Sequence, residues 1–177
     1  MLIKILIVLA IIVVVLLIVA SRQPDYFRVE RSISVSALPA AAFAQVNDFH
    51  KWEAWNPWAK MDPAMKETYD GAPSGVGASY SWSGNKTVGT GRMTLTESRP
   101  FELIRIRLEF LKPFAATNTA EFTFKPDGNH TIVTWSMFGK SNYFCKLMGL
   151  FMSMDKMVGT QFEKGLADLK TASEATP

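Results

Sequence analysis

The stretch that most constrains the fold is residues 142–170, which has the periodicity of one long amphipathic helix. Eight positions, all but one of them apolar, recur there at spacings of four and three residues, which places them on one stripe of a helix. The stripe is apolar except for one aspartate and comprises Phe144, Met148, Phe151, Asp155, Val158, Phe162, Leu166 and Leu169. A helix of about 28 residues is roughly 40 Å long, so it needs an extended apolar surface to lie on.

Three glycines interrupt this helical pattern, namely Gly149, Gly159 and Gly165. Each costs about 1 kcal/mol relative to alanine in the interior of a helix. They indicate either close packing against another element or a break into two helices near Ser153. The sequence leaves both alternatives open.

The chain before this helix reads as a series of strands. Residues 25–37 alternate between polar and apolar positions, with Arg31 on the otherwise apolar face. Further strands are predicted at 65–70, 78–83, 88–98, 101–110, 116–124 and 131–138. Two short helical segments, one from Pro39 and one within 49–58, separate the first strand from the others.

Each predicted strand has one apolar face and one face rich in threonine and charge. This pattern is typical of an antiparallel sheet that is covered on one side only. We therefore expect an α+β domain in which a curved antiparallel sheet of about seven strands wraps around the C-terminal helix.

The N-terminal segment is apolar from residue 2 to residue 20 except for Lys4. Such a run is long enough to span a hydrocarbon core of about 30 Å. A cleaved signal peptide is the alternative, but its apolar region is normally about 7–15 residues long. We favour a retained single-pass anchor at 1–21 in a bacterial inner membrane, a linker at 22–25, the domain at 26–172 and a disordered tail at 173–177. The flanking basic residues do not decide on which side of the membrane the domain lies.

The composition excludes several classes of function. The chain has 19 basic and 16 acidic residues, and no basic run stands out, so we expect no nucleic-acid partner. Cys145 is the one cysteine, which rules out an internal disulfide. His50 and His130 have no metal-ligand spacing with cysteine or acidic residues. Nothing in the sequence resembles a nucleophile elbow or a phosphate-binding glycine loop, so we expect no cofactor and no metal.

Asp155 is the residue that stands out as a candidate for chemistry, because a carboxylate on an apolar helix stripe is unfavourable unless it is paired. Either a partner such as Lys51, Arg92, His50 or a tryptophan N–H satisfies it, or a break in the helix exposes it. The functional alternative is a polar anchor or an acid/base group at a cavity wall. Glu97 is a second candidate, since it shares a strand face with Met93 and Leu95.

Tryptophans are concentrated in residues 49–58, where Trp52, Trp55 and Trp58 recur every three residues. In a helical turn they would lie roughly together. They could form a hydrophobic plug at one end of the sheet or the aromatic wall of a ligand cavity, and one residue can do both.

These residues resemble a known group of proteins. The chain from about residue 26 to 170 resembles the START-like helix-grip superfamily, and within it the polyketide cyclase/dehydrase-type (SRPBCC) proteins with an N-terminal membrane segment. The matching motifs are 49–52 (FHKW), 56–58 (NPW), 75–78 (GVGA), 82–85 (WSGN), 112–114 (KPF), 134–135 (TW), 154–157 (MDKM) and 165–166 (GL).

The resemblance implies a deep apolar cavity between the C-terminal helix and the sheet. Members of the group bind lipids, sterols, polyketides or other apolar molecules, some catalyse cyclisation or dehydration, and some relatives act as co-chaperones. The residues then expected to line the cavity are Trp52, Trp55, Tyr80, Trp82, Met93, Leu95, Ile104, Ile106, Phe122, Trp135, Met137, Phe144, Met148, Phe151 and Asp155.

Three functions follow as hypotheses. The first is a membrane-anchored module that binds a hydrophobic small molecule, lipid-like or polyketide-like, in that cavity. The second is a cyclase or dehydratase that uses Asp155 in the same cavity. The third is a protein-interaction module with a filled interior and an exposed apolar patch. The sequence names no protein partner.

Overall fold

The computed structural model describes residues 2–141, 143–151 and 153–175, without the side chains of Leu2 and Phe144. The helices are α1 Leu2–Ser21, α2 Pro39–Val46, α3 Tyr143–Gly149 and α4 Met154–Glu174, with two 3₁₀ turns at Phe49–Ala54 and Ala59–Met61. The strands are β1 Tyr26–Val35, β2 Lys66–Gly71, β3 Ala78–Ser83, β4 Thr90–Arg99, β5 Leu103–Lys112, β6 Ala116–Asp127 and β7 His130–Lys140.

The strands form one antiparallel sheet in the order β1-β7-β6-β5-β4-β3-β2. Strands β2 to β7 follow one another as neighbours, and β1 pairs with the last of them. Along each of β3 to β7, buried and more exposed positions broadly alternate, because side chains of a strand point to opposite faces. The apolar inner face carries the core, and the α+β helix-grip prediction is confirmed.

The C-terminal helical region is broken near Ser153, which is one of the two alternatives that the glycines left open. Helix α3 ends at Gly149 and α4 begins at Met154. Ser153 caps α4, since its Oγ accepts a hydrogen bond from the backbone N–H of Lys156 at 3.2 Å. This satisfies one of the N–H groups that have no partner within the helix.

The limits of α4 differ from the prediction at its C-terminal end. The helix continues to Glu174, two residues beyond the predicted domain end. Ser173, which the sequence places in a disordered tail, is buried, and its Oγ donates a hydrogen bond to the carbonyl of Leu169 at 2.7 Å. The predicted helix start at Asn142 and the last two residues of the predicted tail lie outside the described residues.

The three glycines of this region have different roles. A Cβ at Gly165 would lie 2.8 Å from Cζ3 of Trp135, and a Cβ at Gly159 would collide with the Arg31 guanidinium. Both glycines therefore allow α4 to pack closely on its neighbours. Around Gly149, by contrast, no described atom lies within 4 Å of the place that a Cβ would take, apart from the adjoining residues and the nearby backbone of its own helix, and the glycine stands where α3 ends.

Helix α1 is long and apolar enough to cross a membrane over Ile3–Ser21, by length and composition. A signal sequence has the same properties near an N-terminus. Most of its side chains are exposed, but Ala20 in its last turn is buried.

Candidate functional site

The centre of the inner face is filled by aromatic rings. The ring of Trp135 stacks on Phe162 of α4, with 4.0 Å between centroids, and on Phe122 of β6, with 4.9 Å. Trp55 stands edge-on to Trp135 at 5.6 Å and tilts against Trp52 at 4.4 Å. These contacts make the tryptophan segment a plug between α4 and the sheet.

Two of these indoles are hydrogen-bonded to the end of α2. Nε1 of Trp52 donates to the carbonyl of Val46 at 3.0 Å, and Nε1 of Trp55 donates to that of Gln45 at 3.3 Å. The last carbonyls of a helix have no N–H partner within it, so the two tryptophans both fill the core and satisfy the end of α2.

Trp135 differs from them. Its Nε1 is buried and has no hydrogen-bond acceptor among the residues that the structure describes. Leaving a buried donor unpaired costs about 1–3 kcal/mol. An unpaired donor of this kind, in an interior that is otherwise apolar, can donate a hydrogen bond to a polar atom of a bound molecule.

Helix α4 covers only part of the inner face. Near its beginning, Arg31 of β1 donates from Nη1 to Oδ1 of Asp155 at 2.9 Å and packs against Gly159. At its end, Oε1 of Glu174 accepts from the backbone N–H of Ser36. Phe27 lies four residues before Arg31 in the same strand, about 13 Å away. We call the part of the inner face that lies toward Phe27 the far half.

The far half is organised around one continuous row of residues that crosses all seven strands. The members of this row, in the order of the strands, are Phe27, Gly139, Asn118, Leu108, Met93, Tyr80 and Tyr69. A Cβ at Gly139 would collide with the amide oxygen of Asn118. The amide therefore lies across the glycine, on the apolar side of the sheet.

A second glycine has the same role in the neighbouring row. Gly91 of β4 lies between Trp82 and Phe110, and a Cβ there would collide with the Trp82 ring. The indole therefore lies over the backbone of β4. Phe27 and Phe110 are only half-buried, so the edge of the far half is incompletely covered.

A carboxylate and two phenols end this row at β2 and β3. The hydroxyls of Tyr69 and Tyr80 donate to the two oxygens of Glu67 at 3.0 and 2.8 Å. Burial, and after it the hydrogen bond to Glu67, raises the pKa of Tyr69 to about 12, and the same causes raise the pKa of Tyr80. Groups that transfer protons in catalysis work best with a pKa near the operating pH, so these phenols suit holding a ligand better than proton transfer.

Most residues predicted to line a cavity are buried in the core. They are Trp52, Trp55, Tyr80, Trp82, Met93, Leu95, Ile104, Ile106, Phe122, Trp135 and Met137. Their contact with a ligand remains a prediction. The side chain of Phe144 lies outside the described part of the chain.

The helix residues of that set are placed differently. Phe151 is 68% exposed and Met148 is 37% exposed. The prediction that they face the sheet on one stripe with Phe162 is wrong, because the helix ends at Gly149 and the stripe does not continue through the turn.

Asp155 is also at the surface, with 59% of its side chain exposed. Its partner is Arg31, not one of the predicted ones, and the hydrogen bond from Arg31 lowers the pKa of Asp155. Arg31 also donates from Nε to Glu163 at 2.7 Å. The position of Asp155 follows from the break in the helix, which was the second structural explanation offered by the sequence.

Glu97 does not share the face of Leu95. A register shift between Leu95 and Glu97 in β4 turns its carboxylate to the opposite side of the sheet, where it accepts from Arg105 at 2.6 Å. Arg105 also bonds to Glu121 across the strands. A bulge of this kind reverses the alternation beyond it.

The sequence analysis missed Asn118, Phe27 and Phe110 as residues of the site. A signal for Asn118 was present, because it stands two residues before Ala120 on the apolar face of β6. A buried amide on an apolar face is an exception to the pattern of the other strands and is informative for that reason.

A separate open cleft of about 300 Å³ lies at the β2 edge of the sheet. Its lining includes His50, Tyr69, Asp70 and Ser79. His50 stacks on Tyr69 and its Nδ1 lies 3.0 Å from Oδ1 of Asp48. The cleft is at the end of the seven-strand row and contains none of the predicted cavity residues.

A comparison with known protein families identifies the family to which this domain belongs. A family profile described as "Polyketide cyclase / dehydrase and lipid transport" matches residues 26–174. The chain belongs to this family. The match covers the whole of the sheet, both short helical turns and α4, so the polyketide cyclase/dehydrase family accounts for all of the domain that follows α1.

Solved structures show the same fold for this family member. A solution structure from Thermobifida fusca is 22% identical, with a TM-score of 0.62 over 82% of this chain and 92% of that one. The Aha1 dimer from Colwellia psychrerythraea is 15% identical, with a TM-score of 0.57 over 84% and 97%. The di-domain ARO/CYC protein StfQ of the steffimycin biosynthetic pathway is 12% identical, with a TM-score of 0.59 over 84% and 51%. None of the curated proteins compared with this chain matches it.

Proposed function

We propose that this family member is a membrane-anchored module that binds a hydrophobic small molecule, lipid-like or polyketide-like, in the far half of the inner face. The observation that carries the proposal is that the apolar inner face continues about 13 Å past Arg31, toward Phe27. Ligand sites are mostly apolar with a few placed polar groups, and the far half has that composition.

Two polar groups are suited to anchor the ligand. The amide of Asn118 lies across Gly139 within the seven-strand row. Trp135 pairs with Arg31 and so lies at the border of the far half, and its Nε1 is buried without an acceptor among the described residues. Each can form one hydrogen bond to a carbonyl, hydroxyl or ester oxygen of a molecule that is otherwise apolar.

Binding is favoured over catalysis because the tyrosine hydroxyls at the end of the seven-strand row stay protonated and are poorly suited to proton transfer. Tyr69 and Tyr80 have raised pKa values, and Asp155 is paired with Arg31 at the surface. The family description names polyketide cyclases, dehydrases and lipid transport. The arrangement in this chain fits the binding of a polyketide-like or lipid-like molecule.

The experiment that tests the proposal is native mass spectrometry of the full chain, released gently from mild detergent. We expect a discrete added mass that is lost on denaturation and that belongs to one class of apolar compound. In the Asn118→Leu variant we expect at least tenfold weaker retention, since a hydrogen bond lost inside an apolar site costs about 1.4 kcal/mol or more.

The matched control is Thr119→Val, which removes a polar group from the opposite face of the same strand. It should retain the ligand as the unmodified chain does. A chain that carries no releasable compound, or equal retention in both variants, would contradict the proposed site. Urea unfolding of each variant separates loss of binding from loss of the fold.

A further inference from the structure

Helix α3 packs against the last turns of α1. The hydroxyl of Tyr143 donates to the carbonyl of Leu17 at 2.8 Å. On the side of α1 that α3 contacts, Ala20 is buried and Leu16, one turn earlier, is half-buried, while the other side chains described in α1 are exposed. The two helices therefore meet within the apolar run and not beyond it.

This contact determines how deep α3 would lie if α1 spans a bilayer. Leu17 is four residues before Ser21, where α1 ends, which is about 6 Å along the helix axis. Amphipathic helices that lie in a membrane interface bury their apolar side about 5–10 Å into the boundary between headgroups and acyl chains. The level of α3 on α1 matches that depth.

The exposed side chains described in α3 and at position 151 are apolar or aromatic. Tyr143, Met148 and Phe151 are all exposed. The ammonium group of Lys146 is instead turned toward Asp25 at the start of β1 and forms an ion pair with it. Tyrosine is enriched at membrane interfaces, and methionine adapts to irregular surroundings.

The same contacts place α3 at the edge of the far half. The backbone N–H of Ser141 donates to the carbonyl of Asp25, and Asp25 precedes β1 by one residue. Phe27, which begins the seven-strand row, follows two residues later. The edge of the far half is therefore on the side of the domain that faces α1.

We propose that α3 and the residues that follow it as far as Phe151 lie in the interface of the membrane beside α1, so that the far half exchanges its ligand with the lipid leaflet and not with water. This inference rests on the ligand site of the proposed function. The partner of the exposed α3 surface is then a lipid surface, and the ligand is an apolar molecule dissolved in that leaflet.

The test uses the full chain in nanodiscs of phosphatidylcholine and phosphatidylglycerol, in a Cys145→Ser background. A nitroxide label is attached through Phe151→Cys, and its accessibility to oxygen and to a water-soluble nickel chelate is measured by power saturation. Val13→Cys, in the middle of α1, reports whether the anchor is inserted. Val76→Cys, exposed at the opposite end of the sheet, is the matched control in water.

We expect the label at position 151 to be reached by oxygen and protected from nickel, at an intermediate depth between positions 13 and 76. Accessibility to nickel equal to that at position 76 would overturn the proposal, as would a label at position 13 that nickel reaches. Spin–spin broadening at position 151 would overturn it too, by assigning the surface to a second copy of the chain. Because the label reports depth without a ligand, this result is independent of the ligand measurement on the same chain.

Discussion

Replacing Gly165 by alanine has two opposite effects on the free energy of unfolding, and the size of each can be worked out. Alanine is favoured over glycine in a helix interior by about 1 kcal/mol. The new Cβ, however, would lie 2.8 Å from Cζ3 of Trp135 and 3.0 Å from Cδ of Pro57. Carbon atoms in contact normally stand about 3.5–4.0 Å apart, so α4 would have to move away from the sheet by up to about 1 Å.

The neighbours of Gly165 have little freedom to move aside. The Trp135 ring is stacked between Phe162 and Phe122, and the ring of Pro57 is rigid. Overpacking of a filled core costs about 1–3 kcal/mol. We therefore expect Gly165→Ala to lower the free energy of unfolding by about 1 kcal/mol, once the gain in helix propensity is subtracted.

The assay is urea unfolding of the full chain in detergent, followed by tryptophan fluorescence. Gly149→Ala is the control, because the added Cβ would have no described atom within 4 Å apart from the adjoining residues and the nearby backbone of its own helix. It should leave stability unchanged or raise it by no more than about 1 kcal/mol. If Gly165→Ala stabilises the protein as much as the control does, the close packing of α4 on Trp135 is refuted.

Two further predictions concern ionisable groups. Stability should fall as the pH rises from about 10 toward about 12. The unfolded chain loses its phenolic protons near pH 10, whereas Tyr69 in the folded chain keeps its proton until about pH 12. Tyr69→Phe should remove that step from the phenolate absorbance titration. Asp155→Asn should leave ligand retention unchanged and abolish the part of stability that is lost as pH falls through the lowered pKa of Asp155. A large loss of ligand in that variant would show that Asp155 takes part in ligand binding.

The strands were predictable because their determinants are local. In β3, for example, Tyr80 and Trp82 alternate with serines, and the structure has the predicted limits of 78–83. The three-residue spacing of Trp52 and Trp55 likewise matches a 3₁₀ turn, in which positions i and i+3 lie on one side. Periodicity alone carries this information.

The positions that were missed depend on contacts between distant parts of the chain. Glu97 changes face because of a bulge against β5, and the amide of Asn118 is held by a glycine on the next strand. Asp155 pairs with Arg31, which is on the first strand. Sequence periodicity predicts which face of its own element a residue lies on. It does not predict the residue's partner on another strand or the place where a helix breaks.

The pairing of β1 with β7 has a consequence for how the chain is made. Strands β2 to β7 pair in the order of synthesis, but Tyr26 pairs with Lys140, so roughly a hundred residues must follow β1 before its partner exists, which takes about 5–20 s at cellular rates of translation. During that time the nascent chain presents an unpaired first strand. Native pairing of β1, and the docking of α4 on it, can occur only after β7 and α4 have been synthesised, so the strand that is made first is among the last to be paired.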